Sequence, residues 1–155
     1  MRTKKLVINW IILLLLMSSV LTMSVSSEND MPPFWNNDWS YRQEIKLPIS
    51  TDNPFAKFQP IDTWIDFVHP CWVENEEEHS VRVCCWTGDR WYELESQIYD
   101  LDHTDAHHIA RCGLVFLVPE IADGNERYFV YYDDAKKPSA NYVDYVGIED
   151  AYYYV

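Results

Sequence analysis

From Ser40 onward the chain alternates between apolar and polar positions. In YRQEIKL, Tyr41, Gln43, Ile45 and Leu47 share one face, while Arg42, Glu44 and Lys46 share the other. A two-residue period of this kind marks a half-buried strand, and Pro48 ends it because proline cannot continue a ladder. Residues 60–68 place Ile61, Ile65 and Phe67 opposite Asp62, Trp64 and Asp66. In residues 80–86, Val81, Val83 and Cys85 oppose Ser80, Arg82, Cys84 and Trp86. Thr87-Gly88-Asp89 reads as a tight hairpin turn into a strand over 91–99. A longer strand is expected over 108–118, stopping at Pro119. The turn signal ADGN (122–125) then leads into 126–132, with Tyr128, Val130 and Tyr132 on one face.

Six or more strands, and no helical period of useful length, predict an all-β fold. An antiparallel β-sandwich of jelly-roll-like type is the economical architecture. The chain has four glycines and neither a G-x-G-x-x-G nor a G-K-[ST] motif, which excludes the nucleotide-binding folds.

The two ends depart from this pattern. Arg2, Lys4 and Lys5 precede an apolar run from Leu6 to Met23, and Ser24-Val25-Ser26 follows. A basic start, an apolar stretch and small residues form a secretory signal, with cleavage expected near Ser26. The run is also close to the length that spans a bilayer, so an uncleaved membrane anchor is the alternative. Residues 1–26 are thus signal peptide or anchor, 27–38 a Ser- and Pro-containing linker, and 39–155 the β-domain. Either reading places the domain outside the cytoplasm, secreted or membrane-anchored. Tyr142–Val155 is strongly apolar and ends on YYYV, whereas chain ends are usually polar and frayed. Two readings stand: a chain truncated within a longer protein, or a last strand that finishes in the sheet.

Composition narrows the partners. The formal charge is −13, and loss of Arg2, Lys4 and Lys5 with the leader would move it to −16. Such a surface repels phosphates, which argues against nucleic acid and against anionic lipid. Aromatic residues make up 15% of the chain, with seven Trp and eleven Tyr, enough to fill a core without great length.

Four clusters could carry chemistry. Cys71, Cys84, Cys85 and Cys112 are even in number in an exported chain, which favours disulfides. Strand parity sends Cys84 and Cys85 to opposite faces, so one of them is expected to face the core, with Cys85 on the face of Val81 and Val83, and to bridge to Cys71 or Cys112. No C-x2-C pair exists to support zinc at the cysteines. The stretch DLDHTDAHH (100–108) gathers Asp100, Asp102, His103, Asp105 and His107 as candidate ligands for Ca²⁺ or Zn²⁺. Its spacing lacks the glycine and glutamate of an EF-hand loop, and the bland reading is a solvated acidic connection between two strands. The run ENEEEH (74–79) reads as an exposed loop kept extended by like charges. Glu93, Glu95 and Asp100 are the nearest approach to the paired carboxylates of a glycosidase. There is no G-x-S-x-G or triad context, so no catalytic residue is assigned. Trp64, Trp86 and Trp91 lie opposite the clearest aliphatic stripes; they are candidate sugar-stacking residues, or alternatively a second packing layer.

The opening motif WNNDWSYR (35–42) resembles the start of a family of secreted bacterial and archaeal domains of unknown function that begin with W-N-x-x-W-x-Y-R. ELESQ (93–97), the 112–119 strand and YFVYYD (128–133) are similar to its succeeding strands. The resemblance implies a β-rich exported domain, in some cases preceding carbohydrate-active or adhesive modules, and implies no catalytic residues. The expected function is therefore a non-catalytic extracytoplasmic module for adhesion, envelope structure or glycan binding, with a glycan or a cell-envelope protein as partner. The alternatives are the N-terminal domain of a secreted carbohydrate-active enzyme and a divalent-metal-dependent binding module.

Overall fold

In a computed structural model, residues 31–140 and Tyr142 are described, and the fold is that of the unit beginning at Pro32. The expected leader and the apolar stretch beyond Tyr142 lie outside the described residues. Seven strands follow one another: β1 (Tyr41–Ile45), β2 (Pro60–Trp72), β3 (Val81–Trp86), β4 (Trp91–Leu94), β5 (Ser96–His103), β6 (His108–Leu117) and β7 (Arg127–Tyr132). The described residues contain no α-helix, only a 3-10 turn at Pro54–Ala56, and no helix among them is long and apolar enough to cross a membrane.

The fold is all-β, in two antiparallel sheets. One has the order β1-β7-β3-β4 and the other β2-β6-β5. Pairing is nested, since β1 lies against β7 and β2 against β6. Alternation is realised as expected. Ile45, Ile61, Ile65, Val81, Val83, Cys85, Leu114, Phe116, Tyr128, Val130 and Tyr132, drawn from both sheets, belong to one buried apolar cluster. Cys85 joins Val81 and Val83 there, as its parity required.

Three features differ from the sequence-based expectation. The stretch 91–99 is not one strand: β4 ends at Leu94, and β5 begins at Ser96 in the other sheet. Tyr92, Leu94, Ser96 and Ile98 all turn toward the interior. The same parity therefore runs through the crossing at Glu95, and alternation alone cannot reveal the change of sheet. Second, β2 runs on to Trp72 past a bulge. Asp66 faces Arg111 and Cys71 faces Ile109, so β2 spends five positions where β6 spends two. Pro70 sits in that irregularity, where a missing ladder donor is tolerated.

The third difference is a correction. Cys71, Cys84, Cys85 and Cys112 form no disulfide and are four buried free thiols. Cys84 points into a different apolar cluster from the other three. The Cys71 Sγ lies 3.6 Å from the Ser80 carbonyl, just before β3, whereas Cys85 is near the far end of that strand, about 17 Å further along. Cys112 faces Ile65, while Cys71 faces Ile109, an offset of about 10 Å along β6. That exceeds the Cα separation a disulfide accepts.

The second cluster covers the outer face of the four-stranded sheet. Trp39, Cys84, Phe129 and Tyr131 are buried there, with Trp35, Trp86 and Trp91 packed against them. The segment before β1 is held down by hydrogen bonds. Trp35 N donates to the Tyr131 hydroxyl at 2.9 Å, and Trp91 Nε1 donates to Pro33 O at 3.1 Å. Arg42 donates to Pro33 O and lies 4.4 Å from the Phe34 ring centroid. At the other end of the chain, buried Asp133 accepts from Ser40 N and Ala135 N and pairs with Lys137 at 3.0 Å. Arg82, buried beneath Trp39, donates to Pro138 O and pairs with Glu93 at 3.2 Å.

Candidate functional site

Among the described residues, none covers the outward face of the three-stranded sheet in the way that Trp35 and Trp39 cover the four-stranded one. Trp64 projects there, 45% exposed. Its ladder partner on β6 is Gly113, and the partner of Gly113 on β5 is Tyr99. The Tyr99 ring lies across this glycine: a methyl group at position 113 would stand 2.3–2.6 Å from three ring carbons. Gly113 therefore lets an aromatic ring lie on the central strand, the close approach that a lone glycine within a strand often marks.

Both rings are held in place. The Tyr99 hydroxyl donates to Asp62 Oδ1 at 2.5 Å, and this bond to the carboxylate raises the phenol's pKa. The Arg111 guanidinium lies 4.4 Å from the Trp64 ring centroid and pairs with Asp66 at 3.3 Å, a cation–π contact that fixes the indole's tilt. The two ring centroids are 5.8 Å apart, at 56°. Together they form a twisted aromatic platform flanked by Asp62, Asp66 and Arg111.

An open depression of about 700 Å³ adjoins it, walled by Trp64 and Arg111 on one side and by Glu74, Asn75, Glu76, Asp100, Leu101, Asp102 and His103 on the other. Asp100 has a left-handed backbone (φ +49°) inside β5, within the shift of register against β6 that falls between Tyr99 and Asp102. A bulge of this kind re-aims neighbouring side chains, and aspartate tolerates that conformation better than most residues. The Glu74–Glu78 run is exposed but not extended. Asn75 Oδ1 accepts from Glu77 N and Glu78 N, Val73 bridges to His79, and Lys136 pairs with Glu78 at 2.7 Å. The Lys136 ion pair, the Val73–His79 bridge and the asparagine turn offset the like-charge repulsion.

The stretch 100–108 spans the end of β5, the turn after it and the first residue of β6. His107 stacks on Trp72 and pairs with Glu74 at 2.8 Å. His108, which begins β6, meets Asp105 at 2.9 Å and the Asp134 carbonyl at 3.0 Å. The Asp105 carboxylate raises the pKa of His108, and the backbone N–H of His107, followed by His108 itself, lowers that of Asp105. Asp100, Asp102 and His103 face the depression, while Asp105 and His107 are engaged elsewhere. Among the described residues, no group of three or more His, Cys, Asp or Glu is placed to hold a metal ion.

The candidate tryptophans are divided between the sheets. Trp86 and Trp91 lie 5.1 Å apart in the outer layer of the four-stranded sheet, with Trp91 edge-on to Phe129 and Tyr131, whereas Trp64 stands on the three-stranded sheet. Of the paired carboxylates, Glu93 is engaged by Arg82, Glu95 occupies the crossing between sheets, and Asp100 belongs to β5. Tyr99, Gly113 and Arg111 were not singled out from the sequence, although a lone glycine inside the 108–118 strand was the available signal.

Comparison with protein-family models finds no match, and neither the curated proteins nor the solved structures contain one.

Proposed function

We propose that the chain is a non-catalytic extracytoplasmic module that holds a glycan on the outer face of its three-stranded sheet. In this reading the domain belongs with the secreted W-N-x-x-W-x-Y-R family, and its two sheets pack as an antiparallel β-sandwich. Pairing of β1 with β7 and of β2 with β6 supports a jelly-roll-like nesting, from which the β3–β4 hairpin within one sheet departs. The basic and apolar start of the sequence supports export.

The observation that carries the functional reading is the pair Trp64 and Tyr99, laid side by side across Gly113. Exposed rings offer apolar faces to the C–H face of a pyranose, and Asp62, Asp66 and Arg111 stand at the rim to meet hydroxyl groups. Their orientation is set before a ligand arrives, which lowers the ordering cost of binding. Stacking and hydrogen bonding are the functions of a binding module, and no bond-breaking step is assigned to the site.

A panel of neutral, basic and acidic oligosaccharides probed with the full-length chain tests this. Retention of at least one glycan is expected, with loss of about tenfold or more in Trp64→Ala and little change in Trp86→Ala, since one stacked aromatic contact contributes on the order of 1 kcal/mol or more. No retained glycan, or equal retention by Trp64→Ala, would sink the reading.

A further inference from the structure

Resting on the glycan reading, the inference concerns which class of sugar the platform selects. We infer that the ligand is an amine-bearing saccharide, such as a glucosamine polymer, whose ring stacks at Trp64 and Tyr99 while its ammonium group enters the adjoining depression. Two independent features converge. The platform fixes where a pyranose ring lies, and Trp64 with Arg111 forms the shared wall between platform and depression. Beyond that wall stand the carboxylates of Glu74, Glu76, Asp100 and Asp102.

The charges are unbalanced on this side. Among the described residues that line the depression, Arg111 is the one guanidinium and is already paired with Asp66, and Glu74 has His107. Among the described residues, Glu76, Asp100 and Asp102 form no ion pair. A uronic-acid or sulfated polymer would bring negative charge against these groups, and like-charge juxtaposition is a strong discriminator. A neutral polymer would use the platform alone. An ammonium group on the sugar carbon that faces the depression adds attraction and can donate hydrogen bonds to carboxylate oxygens. The bulge at Asp100 turns this part of β5 out of regular register, which brings Asp100 and Asp102 to the depression beside His103.

The test is calorimetric titration of the full-length chain with three hexamers of matched β-linkage: glucosamine, N-acetylglucosamine and glucose, at a pH where the free amines are protonated. The glucosamine hexamer is expected to bind about tenfold tighter than the other two, and the preference is expected to shrink in high salt, as exposed charge pairs are screened. Asp100→Asn combined with Asp102→Asn removes the preference and leaves binding of the glucose hexamer unchanged. Gly113→Ala lifts the Tyr99 ring and weakens all three; its melting temperature reports that the domain remains folded. Equal binding of the three hexamers overturns the amine selectivity and leaves the glycan reading standing. A lysine hexamer that binds as tightly as the glucosamine hexamer also overturns the selectivity, because bare counterion attraction then suffices. Failure of all three sugars to bind, in a protein that also retains nothing on the wider panel, removes the glycan reading and the inference with it.

Discussion

Cys84 and Cys85 are consecutive, yet each is buried in a different apolar layer, because a strand sends neighbours to opposite faces. All four thiols are shielded. Burial pushes the pKa of Cys85 and Cys112 up to about 12, and those of Cys71 and Cys84 upward as well. A thiol held neutral and out of solvent is a poor nucleophile and behaves as a small apolar side chain. Native protein is therefore expected to react with no disulfide reagent on the minute scale. Unfolded in denaturant without reductant, it should release four equivalents, one for each cysteine. Two or zero equivalents after denaturation would show bridged cysteines instead. The expectation of disulfides rested on even number and export, which say nothing about separation. Register decides, and the offset along β6 keeps Cys71 and Cys112 apart.

At the scale of elements, the segment 32–40 matters as much as any strand. Trp39 closes the outer face of the four-stranded sheet over Cys84, Phe129 and Tyr131, and Arg82 lies 5.4 Å from its ring centroid. Truncation of Trp39 to alanine removes this cover and is expected to cost about 3–5 kcal/mol in denaturant unfolding. Trp64→Ala, on the open face, should cost less than about 1 kcal/mol. Equal losses in the two variants would contradict the assignment of one tryptophan to packing and the other to a free surface. The strands themselves were largely legible in the sequence. A one-sided stripe such as Ile61, Ile65 and Phe67 states both the strand and its buried face. What escaped was information that alternation does not carry. Phe129, Tyr131 and Cys84 are apolar on the nominally outer face, and only the tryptophans of the opening motif, far away in sequence, explain them. The crossing at Glu95 keeps its parity and so is silent. The platform was half legible: Trp64 stood out as an aromatic among aspartates, whereas Tyr99 acquires meaning only through Gly113 on the next strand.

Across the whole molecule, buried ionisable groups set how stability follows pH. His79 is buried beside β3, with its Nδ1 accepting from Val81 N at 3.2 Å. Burial, and secondarily the Arg82 charge, lower its pKa from 6.5 to about 4. Burial would raise the pKa of Asp133, but the N–H of Ala135, the Lys137 ammonium and Ser40 outweigh it and hold the carboxyl at about 2. Glu126 is likewise brought to about 2, the effect of burial being overcome by the Thr51 hydroxyl, the Asp123 N–H and Tyr128. All three bind protons less readily folded than unfolded, so their contributions are complete above the unfolded values and are lost as pH falls. The loss from His79 falls between pH 6.5 and about 4, that from Glu126 between 4.5 and about 2, and that from Asp133 between 3.8 and about 2. His108 has the opposite sign: its raised pKa stabilises below 6.5 and that contribution fades as pH rises, but it is formed at the surface by an exposed carboxylate and is correspondingly weak. The net expectation is a melting temperature that declines from pH 7 to pH 4.5, with His79 contributing on the order of 3 kcal/mol over its full window. His79→Asn keeps an acceptor for Val81 N and has nothing to protonate. Its melting temperature should stay level between pH 7 and pH 5, where the unsubstituted protein already falls. Parallel slopes in the two proteins would assign the acid sensitivity of this range to some group other than His79.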